Sequence, residues 1–215
     1  MRMRALGLLL CSSLLLFAAD KPKDSAPVPS ADQLWQDLAA GNQRFVSGKP
    51  QAKKLTADRQ KWAKTQNPLV GVLACADSRV GPELLFDKSV GDLFVVRDAG
   101  NSPDPIAVGS LEYAVAHLGT HMIVVVGHQS CGAVKAACGG GKMPTEGLNA
   151  VVSPIKKSCS LAKGDDVEPA TKDHVHQSAL ALLKSPILKK AVDDQQLTIV
   201  EAYYSLDTGK VERLK

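Results

Sequence analysis

The sequence predicts an α/β protein in which helices flank a central, mainly parallel β-sheet. Short, uniformly apolar runs recur along the chain, as expected of strands that are buried on both faces. Longer segments with helical spacing of apolar residues separate these runs, and parallel strands need such crossover helices. The 215 residues have the length of one domain, and the low aromatic content of 4% predicts a core of small aliphatic side chains.

The first 19 residues have the pattern of a secretory signal peptide. Met1–Arg4 is cationic, Leu6–Phe17 is an almost unbroken apolar run, and Ala18 and Ala19 precede a polar stretch. The apolar run is too short for a membrane span. We therefore expect a periplasmic or secreted protein with no stable membrane span once the leader is removed. Bulky residues stand where the cleavage site of a signal peptide prefers a small residue, so the leader could instead be retained as a crude anchor.

Residues 20–30 are rich in Lys, Pro and Ser and are predicted to form a flexible tether to a single domain, residues 31–215. Ser30 followed by Gln33 fits a capping box, which predicts an N-terminal helical arm from Ala31 to about Val46. One small domain offers little to cover the arm's apolar stripe, so we expect a second subunit to do so. The stripe contains Leu34, Trp35, Leu38 and Phe45.

The remaining elements follow from apolar periodicity along the chain. The predicted strands are Leu69–Ala74, Asp92–Arg97, His121–Gly127 and Leu197–Tyr204, with Val211–Leu214 as a possible hairpin partner at the edge. The predicted helices are Pro103–Leu118, Gly132–Cys138, Leu148–Leu161, Thr171–Lys184 and Pro186–Val192. Strands and helices alternate, so the crossovers are expected to be right-handed.

The charge balance argues against a polyanionic partner. The formal net charge is +4, and Arg2 and Arg4 in the leader supply two of these charges. The mature chain would thus carry +2, too little to indicate binding to nucleic acid or to an anionic membrane surface.

Metal-binding side chains follow two of the predicted strands. Cys75 comes directly after the first strand, and His128 and Cys131 follow the third. Ligand sites in parallel sheets form at the carboxyl ends of the strands, so these three side chains can converge. Two thiolates and one imidazole form a soft ligand set of the kind that zinc prefers. Three protein ligands leave one position free, which is the catalytic arrangement.

With these motifs the chain resembles the β-class carbonic anhydrases, whose zinc site consists of CxDSR followed by HxxC. The likeness covers most of the mature chain, roughly residues 34–214. Further matching segments are Gly91–Arg97, Ala99–Asn101, Ser110–Val115, Cys131–Val134, Ser185–Leu188 and Tyr203–Gly209. The resemblance implies a β-carbonic anhydrase fold and the reversible hydration of carbon dioxide to bicarbonate and a proton by hydroxide on the zinc.

The resemblance also assigns roles to individual residues. It implies that Cys75, His128 and Cys131 bind one zinc ion per chain, and that Asp77 and Arg79 form the catalytic pair. The residues implied to contact substrate or line its pocket are Gln66, Phe94, Tyr113 and the backbone near Gly132. Members of the family are dimers or larger, so a homodimer or a dimer of dimers is expected, with the pocket at the dimer interface and the helical arm across the partner.

Two positions depart from the family pattern. Asp98 stands where the family usually has Asn, which puts an extra carboxylate near the pocket, where it would either hinder bicarbonate or point outward. Gln129 replaces the usual small or aromatic residue after the histidine, at a position that varies within the family.

Several alternatives stay open at this point. Cys75 and Cys131 could form a disulfide in an oxidising compartment, and Cys138 and Cys159 could form another. His174 and His176 lie two residues apart on a predicted helix and therefore make a poor metal-binding pair. The same scaffold could hydrolyse carbonyl sulfide or carbon disulfide, or the protein could be a zinc-binding dimer without catalytic activity.

Overall fold

A computed structural model describes residues 28–214, so the predicted signal peptide and most of the tether lie outside the described residues. The strands are β1 (Val70–Cys75), β2 (Leu93–Asp98), β3 (Met122–His128), β4 (Thr198–Tyr204) and β5 (Val211–Arg213). The α-helices are α1 (Ala31–Val46), α2 (Leu55–Lys61), α3 (Pro82–Leu85), α4 (Pro105–Leu118), α5 (Gly132–Cys138), α6 (Glu146–Val152), α7 (Glu168–Leu182) and α8 (Pro186–Asp193). A 3₁₀ helix spans Lys156–Leu161.

The five strands form one sheet in the order β2-β1-β3-β4-β5. The first four strands are parallel, and β5 pairs antiparallel with β4 as a short edge strand. This confirms the predicted fold class and the predicted hairpin, with strand boundaries that differ by one residue. The central strands β1 and β3 are buried along their whole length, in agreement with their uniformly apolar sequences.

Helices cover both faces of the sheet. On one face, Val72 of β1 belongs to an apolar cluster with Leu38 of α1. On the other face, Leu73 clusters with Leu111 of α4 and Val175 of α7. Each fully buried aliphatic side chain contributes about 1.5–3 kcal/mol to folding. A third apolar cluster, formed by α5, α6 and the 3₁₀ helix, covers the carboxyl ends of β1 and β3.

Helix α1 begins at the predicted capping box and has the predicted bounds. Its own chain covers part of its apolar stripe: Leu34 and Leu38 are buried in the cluster that also contains Phe86, whereas Trp35 and Phe45 pack against that cluster and are only partly buried. Cover of the rest of the stripe by a second subunit stays a prediction.

The predicted helix over 148–161 is broken in the structure. Helix α6 ends at Val152, and the 3₁₀ helix starts four residues later, because Pro154 has no N–H to donate to the helix. The short helices α2 and α3 were not predicted. None of the helices in residues 28–214 is both long and apolar enough to cross a membrane.

Candidate metal centre

Three metal-binding side chains converge at the carboxyl ends of neighbouring strands. Cys75 is the last residue of β1, His128 is the last residue of β3, and Cys131 caps the start of α5. Their ligand atoms all lie within 4.8 Å of one another, and all three residues are buried. This convergence follows from the topology, because β1 and β3 are adjacent and parallel and therefore end at the same edge of the sheet.

The His128 ring is oriented by its own backbone neighbour. Nδ1 lies 2.9 Å from the carbonyl oxygen of Gln129, which can only accept, so Nδ1 carries the hydrogen. Nε2 is then a bare acceptor, and it is buried without a hydrogen-bond partner among the described residues. A buried, unpartnered ring nitrogen is costly unless something binds it. The orientation of His128 therefore fits a metal ligand that coordinates through Nε2.

Cys75 and Cys131 are free thiols in the structure, so the alternative of a disulfide between them is wrong. The close approach of the two thiols is the main cause that lowers the pKa of Cys75 and raises that of Cys131. The backbone N–H of Gly100, whose nitrogen lies 3.3 Å from the Cys75 sulfur, donates to that sulfur and also lowers the pKa of Cys75. A metal ion would replace the proton that the sulfurs share.

Asp77 and Arg79 form a two-pronged ion pair at the mouth of the cluster. Arg79 donates from Nε to Oδ1 of Asp77 at 2.9 Å and from the guanidinium to Oδ2 at 2.7 Å. The backbone N–H of Arg79 also donates to Oδ1. These hydrogen bonds hold the pKa of Asp77 well below its usual range. Oδ2 is 4.0 Å from Nε2 of His128, so the carboxylate borders the cluster while the guanidinium restrains it.

A family model described as carbonic anhydrase matches residues 70–211, the segment that contains these five side chains. The chain belongs to the carbonic anhydrase family. Carbonic anhydrase 2 of Mycobacterium tuberculosis is 39% identical over 184 residues, which cover 82% of this chain and 89% of that protein. The carbonic anhydrase of Mycolicibacterium smegmatis is 37% identical over 186 residues, covering 83% and 90%.

Solved structures identify the class within the family. The Coccomyxa β-carbonic anhydrase in complex with acetazolamide is 29% identical with a TM-score of 0.65, over 86% of this chain and 83% of that one. One of two tetrameric β-carbonic anhydrases from Sordaria macrospora has a TM-score of 0.68 at 23% identity, over 85% and 97%, which shows the fold alone. The predicted resemblance to the β class of carbonic anhydrases is confirmed.

The structure does not bring every predicted carbonic anhydrase site residue to the cluster of its own chain. Gln66 is exposed in the loop before β1, and Phe94 lies near the start of β2. Cys75 is at the other end of β1, roughly 16 Å along the strand from its first residue. Tyr113 is 51% exposed on α4, with its ring centroid 5.1 Å from that of His117. Of the predicted substrate contacts, only Gly132 lies next to a cluster residue.

The two departures from the family pattern have definite positions. Asp98 points inward: its Oδ1 accepts from the N–H of Ser102, its Oδ2 is buried without a partner among the described residues, and burial raises its pKa to about 6. Gln129 reaches the β4–β5 turn, where its amide donates to Asp207 and accepts from Ser205. Gln129 thus fixes a turn, whereas Asp98 lies beside the metal centre.

One feature beside the site was not recognised from the sequence, and a second was left open. Arg97 bridges the strand ends by donating to the carbonyl oxygens of Cys75 and Asp77 at 3.1 and 2.8 Å; its place in a family segment was the available signal. A disulfide joins Cys138 at the end of α5 to Cys159 in the 3₁₀ helix, with Cα atoms 5.0 Å apart. This resolves the pairing that the sequence left open.

Proposed function

We propose that this chain is a zinc-dependent carbonate dehydratase that reversibly hydrates carbon dioxide to bicarbonate and a proton. The observation that carries the proposal is the buried cluster of two sulfurs and one bare imidazole nitrogen beside a carboxylate held by an arginine. We infer one zinc per chain, held by Cys75, His128 and Cys131. When bound, zinc would act as a Lewis acid and make hydroxide available near neutral pH.

Asp77 is suited to accept a hydrogen bond from the attacking oxygen. Its depressed pKa keeps the carboxylate ionised at any physiological pH, so it can accept but not donate. Arg79 holds both carboxylate oxygens and thereby keeps Asp77 beside the metal ligands without joining them. This arrangement would aim the oxygen's lone pair at carbon dioxide, which is catalysis by orientation.

The backbone next to Cys131 is accessible to a small molecule. Gly132 is exposed, and a Cβ added there would meet no other atom within 4 Å. Carbon dioxide and bicarbonate are small enough to reach this backbone without a deep cavity. No feature of this region favours carbonyl sulfide or carbon disulfide, and the experiment below distinguishes these substrates.

The pocket residues that lie far from their own cluster indicate an oligomer. β2 is an edge strand that is only partly buried, and Ile106 of α4 beside it is 79% exposed. A two-fold axis across this edge would set two β2 strands antiparallel and bring Gln66 and Phe94 of one copy toward the cluster of the other. The tetrameric Sordaria macrospora enzymes support such assembly, and we propose a homodimer or a dimer of dimers.

We also propose that the protein is exported to the periplasm or secreted. The leader-like start of the sequence motivates the proposal. The disulfide between Cys138 and Cys159 supports it, because disulfides persist in oxidising compartments and are rare in the cytosol.

Metal analysis combined with stopped-flow hydration of carbon dioxide tests the proposed activity. The parent protein should contain about one zinc per chain and should hydrate carbon dioxide well above the buffer rate. A Cys131→Ser variant should lose zinc and activity together, whereas Asp77→Asn should retain zinc and lose activity. Zinc-loaded parent protein that hydrolyses carbonyl sulfide but does not hydrate carbon dioxide would overturn the proposed substrate. Zinc-loaded protein inactive on both would show a binding protein without catalysis.

A further inference from the structure

The loop that follows β2 presents a backbone N–H to one of the metal-binding sulfurs. Gly100 and Asn101 adopt consecutive positive φ angles of 90° and 45°, which turn the chain sharply. The turn points the N–H of Gly100 at the Cys75 sulfur, 3.3 Å away. A Cβ at position 100 would lie 2.8 Å from Cδ1 of Ile155 and 3.0 Å from Cβ of Ala133, and L side chains rarely adopt a φ of 90°, so this position favours glycine. Glycine has little conformational preference of its own, so this loop needs an external anchor.

A buried histidine on α7 supplies that anchor. His174 is 2% exposed, and its Nε2 lies 2.8 Å from the carbonyl oxygen of Gly100 and 3.2 Å from Oγ of Ser102. A carbonyl oxygen only accepts, so Nε2 carries the hydrogen and donates it. Burial lowers the pKa of His174, in keeping with a neutral ring. The other nitrogen, Nδ1, is buried without a partner among the described residues, so the ring has one orienting contact, at the loop.

We propose that His174 is a positioning residue for the metal centre: by holding the carbonyl of Gly100 it keeps the N–H of Gly100 on the sulfur of Cys75. The N–H and the carbonyl of Gly100 flank the same α-carbon, so a hydrogen bond that fixes the carbonyl also restricts the direction of the N–H. The rest of the loop is held by the N–H of Ser102, which donates to Oδ1 of Asp98 at 2.8 Å, and by the N–H of Asp104, which donates to the Ser102 carbonyl at 2.9 Å. The carbonyl of Gly100 itself is otherwise approached by Oγ of Ser102 at 3.5 Å, a longer contact than that of His174.

The contact matters because a hydrogen bond to a metal-binding group sets its orientation and its donor strength. The N–H of Gly100 stabilises negative charge on the Cys75 sulfur. Loss of partners in the shell around a metal site typically costs 10- to 100-fold in metal affinity or activity. Among the described residues, the hydrogen-bond partners of His174 are Gly100 and Ser102 and not the three ligands, so its effect on the metal centre would pass through this loop. The inference rests on the proposed zinc site.

Zinc release from the folded protein tests this role. We would compare the parent with His174→Ala, His174→Gln and His176→Ala, and follow transfer of zinc to an excess of a chromogenic chelator. His176 lies on the exposed side of the same helix and pairs with Glu201, so it is the matched control. We expect about 10-fold faster release from His174→Ala. Release from His174→Gln, whose amide can reach the same carbonyl, should stay within about 3-fold of the parent, and release from His176→Ala should not change.

Cobalt substitution gives a second measurement, and its result would not change if His174 had only a structural role. The sulfur-to-cobalt charge-transfer band should shift in His174→Ala and return to the parent position in His174→Gln. Should His174→Ala not fold, His174→Asn decides, because its amide is too short to reach Gly100. Parent-like zinc release and an unchanged band in a folded variant that lacks this donor would overturn the inference. A parent protein that binds no zinc would instead overturn the proposed function.

Discussion

The disulfide between Cys138 and Cys159 allows a stability prediction with a definite magnitude. The cysteines are 21 residues apart and enclose α6, the helix that packs beside α5 over the metal centre. In the chain-entropy model, a cross-link that closes a loop of this length stabilises the fold by about 3 kcal/mol at 25 °C. Replacing both cysteines with alanine should therefore lower the free energy of unfolding by about 3 kcal/mol. Replacing only one would leave a thiol able to pair with Cys75 or Cys131.

The assay is denaturant unfolding at fixed protein concentration, with and without a phosphine reductant. For a domain of this size the expected loss corresponds to a fall in Tm of roughly 6–12 °C. The reductant should lower the stability of the parent to that of the double variant and leave the double variant unchanged, which separates the cross-link from the lost side-chain packing. Parent protein that is isolated from the periplasm and unfolds identically with and without reductant would refute the reasoning.

Three further predictions concern the ligand cluster and its surroundings. Arg79→Ala should keep zinc but lose about 100-fold or more in hydration rate, because the freed Asp77 carboxylate could bind the metal and block its open position; a nearly unchanged rate would show that Arg79 is not a restraint. Ile106→Glu should shift the protein to a monomer in sedimentation while the metal content stays the same, whereas an intact oligomer would place the interface elsewhere. Asp98→Asn should stabilise metal-free protein above pH 6 by at most about 3 kcal/mol. Burial raises the pKa of Asp98 to about 6, so the parent protein loses stability as the pH rises through that value and the carboxyl ionises. Below pH 4 the variant should have no advantage over the parent in pH-dependent unfolding.

The sheet was predictable because its strands are buried on both faces. β1 and β3 are unbroken apolar runs, and the rule that sites form at the carboxyl ends of parallel strands placed Cys75 and His128 together before any coordinates. The predicted boundaries are off by one residue because apolar character does not mark where pairing ends. The motif spacing and the predicted topology were therefore enough to predict the three candidate ligands and their convergence.

The elements that were missed carry no such signal. Helix α2 buries none of its residues and has no side-chain cap, so it leaves no apolar stripe in the sequence. Helix α3 has only four residues. The contact of His174 with Gly100 joins residues 74 positions apart and depends on how α7 packs against the sheet. The pairing of Cys138 with Cys159 likewise depends on a Cα separation that no sequence pattern reports.

Two carboxylates at neighbouring strand ends show how the environment divides their roles. Asp77 and Asp98 each end or follow a strand, and an arginine lies one or two residues from each in sequence. Arg79 turns toward Asp77 and keeps it ionised, whereas Arg97 turns to the carbonyl oxygens of Cys75 and Asp77, so Asp98 has no ion-pair partner among residues 28–214. The pKa of Asp77 is therefore lowered, and burial raises that of Asp98 to about 6. When environments push the pKa values of two acids apart, the one that stays charged is the reliable acceptor, which supports the catalytic role proposed for Asp77 and leaves Asp98 as part of the loop beside Cys75.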